Sequence, residues 1–150
     1  VEVQALVCPT SFGMPRRQAT GMDYNRLAML MAVLEKKVGM QLSSFDAYIN
    51  VAGGFKLDEP AADLGVVAAI ASSFRNKKID PSTVFFGEVG LTGEVRAVNQ
   101  MDKRITESLR LGFKRCIVPV MNMKNIPDFK KEIDIFMVST VDEALAEALS

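Results

Sequence analysis

Apolar residues at Val1, Val3, Ala5 and Val7 alternate with Glu2, Gln4 and Leu6, the two-residue period of a strand with one covered face. Pro9 to Pro15 follows with two prolines and a glycine, which is turn chemistry. Arg16 to Ala19 then reads as a strand returning alongside the first. Gly21 and Met22 break it, and Asp23 is a good N-cap. From Tyr24 the period changes. Leu27, Leu30, Met31, Leu34 and Val38 form one stripe of a helix, with Lys36 and Lys37 in its last turn and Gly39 as its stop. Ala47–Ala52 reads as a strand ending at Gly53-Gly54. After a loop, Pro60 opens a helix whose body, Ala61 to Phe74, is apolar on nearly all sides; such a helix is central and covered.

The second half alternates more regularly. Val84 to Val89 reads as a strand, Thr92-Gly93 as a tight hairpin turn, and Glu94–Val98 as the returning strand. Met101 to Leu111 is helical, with Met101, Ile105 and Leu109 at four-residue spacing and Gly112 as its stop. Cys116–Val120 and Ile135–Val138 are strands. Thr140 with Glu143 forms a capping box for a last helix facing the core through Val141, Leu145 and Leu149. Helices packed on a mixed sheet, α/β or α+β, are the expected architecture.

At 150 residues the chain is one domain's worth. No apolar run approaches the ~20 residues that cross a bilayer, so no membrane partner is expected. The chain starts without methionine, inside a strand, and is read as a piece of a longer protein with no visible targeting segment. It has no histidine. Ser-His-Asp catalysis, Cys-His catalysis and His-ligated metals are therefore excluded. Cys8 and Cys116 lack paired spacing and read as buried thiols of a cytoplasmic protein, with no metal site.

A GxxxxGK[ST] phosphate loop and a GxGxxG word are both missing, so no nucleotide cofactor is expected in this piece. Asp58, Glu59 and Asp63 cluster near one helix start. They could serve as acid, base or metal ligands, or simply complement the helix dipole. The nucleophile chemistry left open without histidine is a Ser-Lys or Thr-Lys dyad. Ser72 and Ser73 sit at a helix C-terminus, where the dipole disfavours developing negative charge. Ser11, Ser43, Ser44 and Ser82 lie in turns with no evident partner.

Several words in order resemble the C-terminal region of the RadA/Sms family of bacterial DNA-repair proteins. They are Val1 to Val7, Arg16 to Ala19, Asn25-Arg26-Leu27-Ala28-Met29, Asn50 to Gly54, Glu59 to Leu64, Phe86 to Leu91 and Gly93-Glu94-Val95-Arg96. That region is similar to the proteolytic domain of Lon protease, so the resemblance implies a Lon proteolytic-domain-like, ribosomal protein S5 domain 2-like fold over residues 1–150. The family's zinc motif and RecA-like ATPase lie upstream, so zinc, ATP, magnesium and DNA-dependent ATPase activity are implied for the full-length protein. Active Lon carries its nucleophile in a Pro-Ser-Ala-Gly word, which matches Pro60-Ala61-Ala62-Asp63 and places Ala61 at the serine. Its lysine follows a Gly-Glu-Val hairpin, and that count falls on Asp102. Lys103 is ~100° around the helix and a poor substitute. A non-catalytic domain is the implied reading.

The resemblance implies DNA binding and a ring, hexameric as in Lon-type domains. Net charge is zero, but eight basic residues fall between Lys103 and Lys131 against Glu107 and Asp128, and five acids with no base follow from Glu132. Lys103, Arg104, Arg110, Lys114 and Arg115, extended by Arg16 and Arg17, are the candidate phosphate contacts for single-stranded, duplex or branched DNA. No aromatic residues interleave with them to stack bases. The contrasting reading is a purely structural oligomerisation domain. Its support is the nine methionines, of which Met14, Met121 and Met123 fall in loop-like segments. A third reading is the Lon-like domain of a magnesium-chelatase-like or competence-type ATPase, which shares the Phe86 to Arg96 style of hairpin.

Overall fold

The structure, a computed structural model, describes residues 2–11, 13–52, 59–126 and 132–149. The expectations for Val1, Gly53-Gly54, Asp58, Asp128, Lys130 and Lys131 lie outside those residues. Eight strands and four helices are present among the described residues: β1 (Glu2–Pro9), β2 (Arg17–Thr20), α1 (Tyr24–Val33), β3 (Phe45–Ala52), α2 (Asp63–Arg75), β4 (Thr83–Phe85), β5 (Glu88–Val89), β6 (Val95–Arg96), α3 (Met101–Arg110), β7 (Arg115–Pro119), β8 (Asp134–Val138) and α4 (Val141–Ala148). The expected mixed α/β architecture is present, divided among three sheets: β1-β3-β2, the all-parallel β4-β7-β8, and the β5-β6 hairpin.

β1 and β2 are not a hairpin, contrary to expectation. β3 lies between them, antiparallel to β1 and parallel to β2. The connection must therefore pass across the end of β3, a separation of about 10 Å that its residues span easily. Asp46, in β3, holds both ends of this crossing. Its Oδ1 accepts the Thr10 hydroxyl at 2.9 Å and the Arg16 N–H at 2.7 Å, while the Thr10 N–H donates to the Ser44 carbonyl at 2.9 Å. The Arg16 donation is the largest cause that holds the Asp46 carboxyl below its ordinary value.

The α1 stripe is buried at Leu27, Leu30, Met31 and Leu34, and the Asp23 side chain caps the Arg26 N–H as expected. The helix ends differently from the reading. Leu34–Val38 winds as a π turn, which rotates Val38 to a half-buried position before Gly39 stops the element at φ +83°. α2 is the central helix. None of its residues from Asp63 to Phe74 is exposed, and it packs against β1, β5, α1 and α4. Ser73 lies near its end, and the hydroxyl accepts the Val7 N–H of the sheet-edge strand β1 at 2.9 Å.

The parallel sheet separates two apolar regions. Ile117 and Val138 face the main core with α2 and α4, whereas Cys116 and Val118 face a smaller cluster with Met101 and Ile105 of α3. Cys116 is buried as expected, and desolvation pushes its thiol up to about 12. Cys8 is only half-buried, a correction: Val7 holds the inward position on β1, so the pleat turns the next residue away.

The expected strand through Val89 is interrupted at Phe86-Gly87. There the chain leaves β7 and turns toward the start of α2, and a Cβ on Gly87 would lie 2.9 Å from Val95 Cγ1. The α4 capping box is present, with the Thr140 hydroxyl accepting the Glu143 N–H at 3.2 Å. Thr140→Ala is expected to cost about 1 kcal/mol, measured by denaturant unfolding.

Candidate functional site

Glu59, Pro60 and the 3-10 turn Pro60–Ala62 deliver the chain into α2. Pro60 sits where a missing N–H costs nothing. The Glu59 carboxylate accepts the Ala61 N–H at 3.1 Å, which is the dipole-complementing role open to it. Ala61 itself is buried, and its carbonyl accepts the Gly87 N–H at 3.1 Å. The Leu64 N–H donates to the Gly87 carbonyl, also at 3.1 Å. The Ala61 backbone is thus tied on both sides, and its methyl group has no polar function to offer.

Asp63 does more than complement a dipole. It is 2% exposed. The Arg26 guanidinium grips it with two donors, Nε at 2.6 Å and Nη2 in a shorter contact, and the Val89 N–H donates at 3.0 Å. Glu88 lies 3.8 Å from the same guanidinium. Burial pushes the Asp63 carboxyl up from its ordinary value, against the pull of the Arg26 and Val89 donors. The pairing with Asp63 in turn raises the Arg26 guanidinium. Sequence reasoning missed Arg26, whose only signal was its place in a family-like word. Among the described residues no group of acids or cysteines is arranged to hold a metal ion.

Asp102 is exposed in the first turn of α3, and Lys103 beside it is exposed as well. Arg104 points elsewhere. Its guanidinium reaches the Asn99 carbonyl at 2.8 Å and Glu59 at 3.4 Å, and lies 5.9 Å from the Phe86 ring centre. This brings the first half of α3 beside the Pro60 turn. A dyad lysine must be desolvated to lower its pKa. Lys36, Lys37, Lys77, Lys78, Lys103, Lys114 and Lys124, the lysines among the described residues, are all exposed. Ser72 donates to the Lys77 carbonyl, and Ser108 to the Arg104 carbonyl at 2.8 Å.

The candidate phosphate contacts divide into two groups. Arg17 is half-buried and donates to the Leu42 carbonyl at 2.9 Å and to Met31 Sδ at 3.0 Å. Arg115 lies 5.0 Å from the Phe136 ring centre and donates to the Glu147 carbonyl at 3.2 Å. With Arg104, these side chains serve internal contacts. Arg16, Lys103, Arg110 and Lys114 are exposed, Arg110 in a two-donor pair with Glu107. Lys103 and Arg110 stand seven residues apart on one face of α3, Lys114 follows the helix, and Arg16 precedes β2 on another sheet. No described helix is long and apolar enough to cross a membrane.

Residues 27–150 match the model of the Lon protease (S16) C-terminal proteolytic domain, and the chain belongs to that family. Its fold is accordingly Lon proteolytic-domain-like. The chain is also similar over 99% of its length to DNA repair protein RadA of Halalkalibacterium halodurans at 57% identity and of Bacillus subtilis at 55%. The RadA of Streptococcus pneumoniae is 49% identical over the same share. The chain spans about a third of these relatives, 32%, 32% and 35% of their lengths. The resemblance to the Lon-like C-terminal domain of RadA therefore holds.

Replacing Arg26 with methionine leaves the Asp63 carboxylate buried without its cation, which costs about 3–5 kcal/mol at neutral pH. Because burial raises the folded-state pKa, the deficit shrinks as acid neutralises Asp63 and grows as pH rises through that pKa. Urea unfolding of the variant across the acid range checks both statements.

Proposed function

We propose that this domain is a non-catalytic Lon-type module of a RadA-type DNA repair protein, where it binds DNA and scaffolds a ring, hexameric by analogy with Lon. One observation carries the non-catalytic part. The position matched to the Lon serine is a buried alanine with a tied backbone, and no described lysine is desolvated. The position matched to the Lon lysine is Asp102, an exposed acid that cannot take a hydroxyl proton as a lysine would. DNA binding draws support from the relatives, which are DNA repair proteins, and from the exposed cations Arg16, Lys103, Arg110 and Lys114. In this reading ATP, magnesium, zinc and DNA-dependent ATPase activity belong to the remaining two-thirds of the whole protein, which works in the cytoplasm.

A second reading, assembly without DNA affinity, is favoured by one observation. Met14, Met121 and Met123 are 86%, 64% and 58% exposed, an adaptable apolar surface suited to subunit contacts. Solution mass, followed by DNA binding of a ring-breaking variant, separates the two.

The domain is expected to cleave neither peptides nor casein; peptide turnover that disappears in Lys103→Ala would contradict this. In gel shifts with duplex, single-stranded and branched DNA, affinity is expected to fall by orders of magnitude between about 50 and 200 mM salt. Binding indifferent to salt would rule out phosphate contacts.

A further inference from the structure

The three strands of the parallel sheet all begin at the same end of it, because β4 and β8 both run parallel to β7. Two of the connections that enter this end are basic. The one before β4 carries Lys77 and Lys78, just after Arg75 at the end of α2, and the one before β7 carries Lys114, four residues after Arg110 at the end of α3. They are joined to each other: the Ser82 carbonyl accepts the Lys114 N–H at 2.9 Å and the Arg115 N–H at 3.1 Å. Lys78 is four residues before Ser82, a reach of at most about 14 Å. Arg75, Lys77, Lys78 and Lys114 are exposed, and none pairs with a carboxylate among the described residues.

Acids also lie at this end: Asp80 before β4, Glu107 in the last turn of α3, and the exposed Glu132 and Asp134 at the start of β8, where the Asp134 N–H donates to the Lys114 carbonyl at 2.9 Å. The Asp80 carboxylate accepts the Ser82 N–H at 2.9 Å and the Ser82 hydroxyl at 2.7 Å, and Glu107 is held by Arg110. Asp134 stands opposite Arg115 at the β8 side, so the basic part of this end is the part nearer β4. Cations beside a helix C-terminus often serve only its dipole. Here the α2 end already has backbone partners. The Lys77 N–H donates to the Ser72 carbonyl at 3.0 Å and the Asn76 N–H to the Ser73 carbonyl at 3.3 Å. Lys77 and Lys78 follow the cap and are surplus to it.

We infer that this end of the parallel sheet, centred on Lys77, Lys78 and Lys114, is the surface that takes the phosphodiester backbone of DNA. The inference rests on the DNA-binding reading above and relocates the contact. Arg17, Arg104 and Arg115 serve internal partners, and Arg75, Lys77 and Lys78 enter in their place. Neither connection carries an exposed aromatic ring, so bases have nothing to stack on and recognition is by charge.

The test is fluorescence anisotropy of a labelled DNA duplex titrated with the chain over a range of salt. Lys77→Gln/Lys78→Gln is compared with the charge-matched Lys36→Gln/Lys37→Gln. All four lysines are exposed, so both variants are expected to melt like the parent. The first double variant is expected to bind at least about tenfold more weakly, with the log–log salt slope shallower by about 0.9 for each phosphate it no longer neutralises. Lys114→Gln alone should flatten the slope by about 1, and the second double variant should change affinity less than about twofold. Equal losses in the two double variants, or an unaltered slope in the first, overturn the assignment while the parent's binding keeps the DNA reading intact. A parent chain that binds no duplex at low salt overturns both.

Discussion

The carboxylate of Asp63 is the point through which the parts of this domain are held in register. It lies at the first turn of the central helix, and accepts two donors from Arg26 of α1 and a third from the backbone of Val89 in the hairpin. A buried ion pair adds little net stability, because removing two charges from water cancels most of their attraction. Its effect is on arrangement. A carboxylate that must find three donors permits one placement of α1, α2 and β5, and any other leaves a buried charge unmatched. The paired hydrogen bonds between Gly87 and the Pro60 turn act at the same place and fix the Ala61 backbone from the opposite side.

Local order was readable where it depends on neighbours in sequence. Asp23 and Thr140 cap the helices they were assigned to, and the apolar α2 proved to be the covered central helix. Pairing between distant segments was not readable. The alternation in β1 says that it has a covered face but not which strand lies beside it, so the place of β3 between β1 and β2 went unseen although β3 itself was read as a strand. The break before β5 had only Gly87 as its signal. A glycine inside a strand pattern can mark close backbone approach, and here it meets the α2 entry.

The candidate site was legible in its words and not in its contacts. The matching of Ala61 and Asp102 to the Lon dyad rests on counting along the chain, whereas the partner that explains Asp63 is 37 residues away. The same limit misled the charge pattern. Arg17, Arg104 and Arg115 looked like surface cations, but their planar forks found carbonyls, a sulfur and aromatic rings. Arginine suits such half-buried positions, because its charge is delocalised and weakly hydrated, whereas lysine keeps its compact charge in water. What reaches solvent is therefore carried largely by lysines that a one-dimensional charge run does not group together.

Burial of Cys116 beneath α3 gives the domain an internal reporter. A thiol held at about 12 is almost wholly protonated at neutral pH, and the protonated form is a poor nucleophile. Alkylating reagents reach it only in molecules whose smaller apolar cluster has opened. The half-buried Cys8, on a different sheet, samples another part of the molecule. The two sulfurs thus allow separate rates of opening to be followed in one chain without adding a probe.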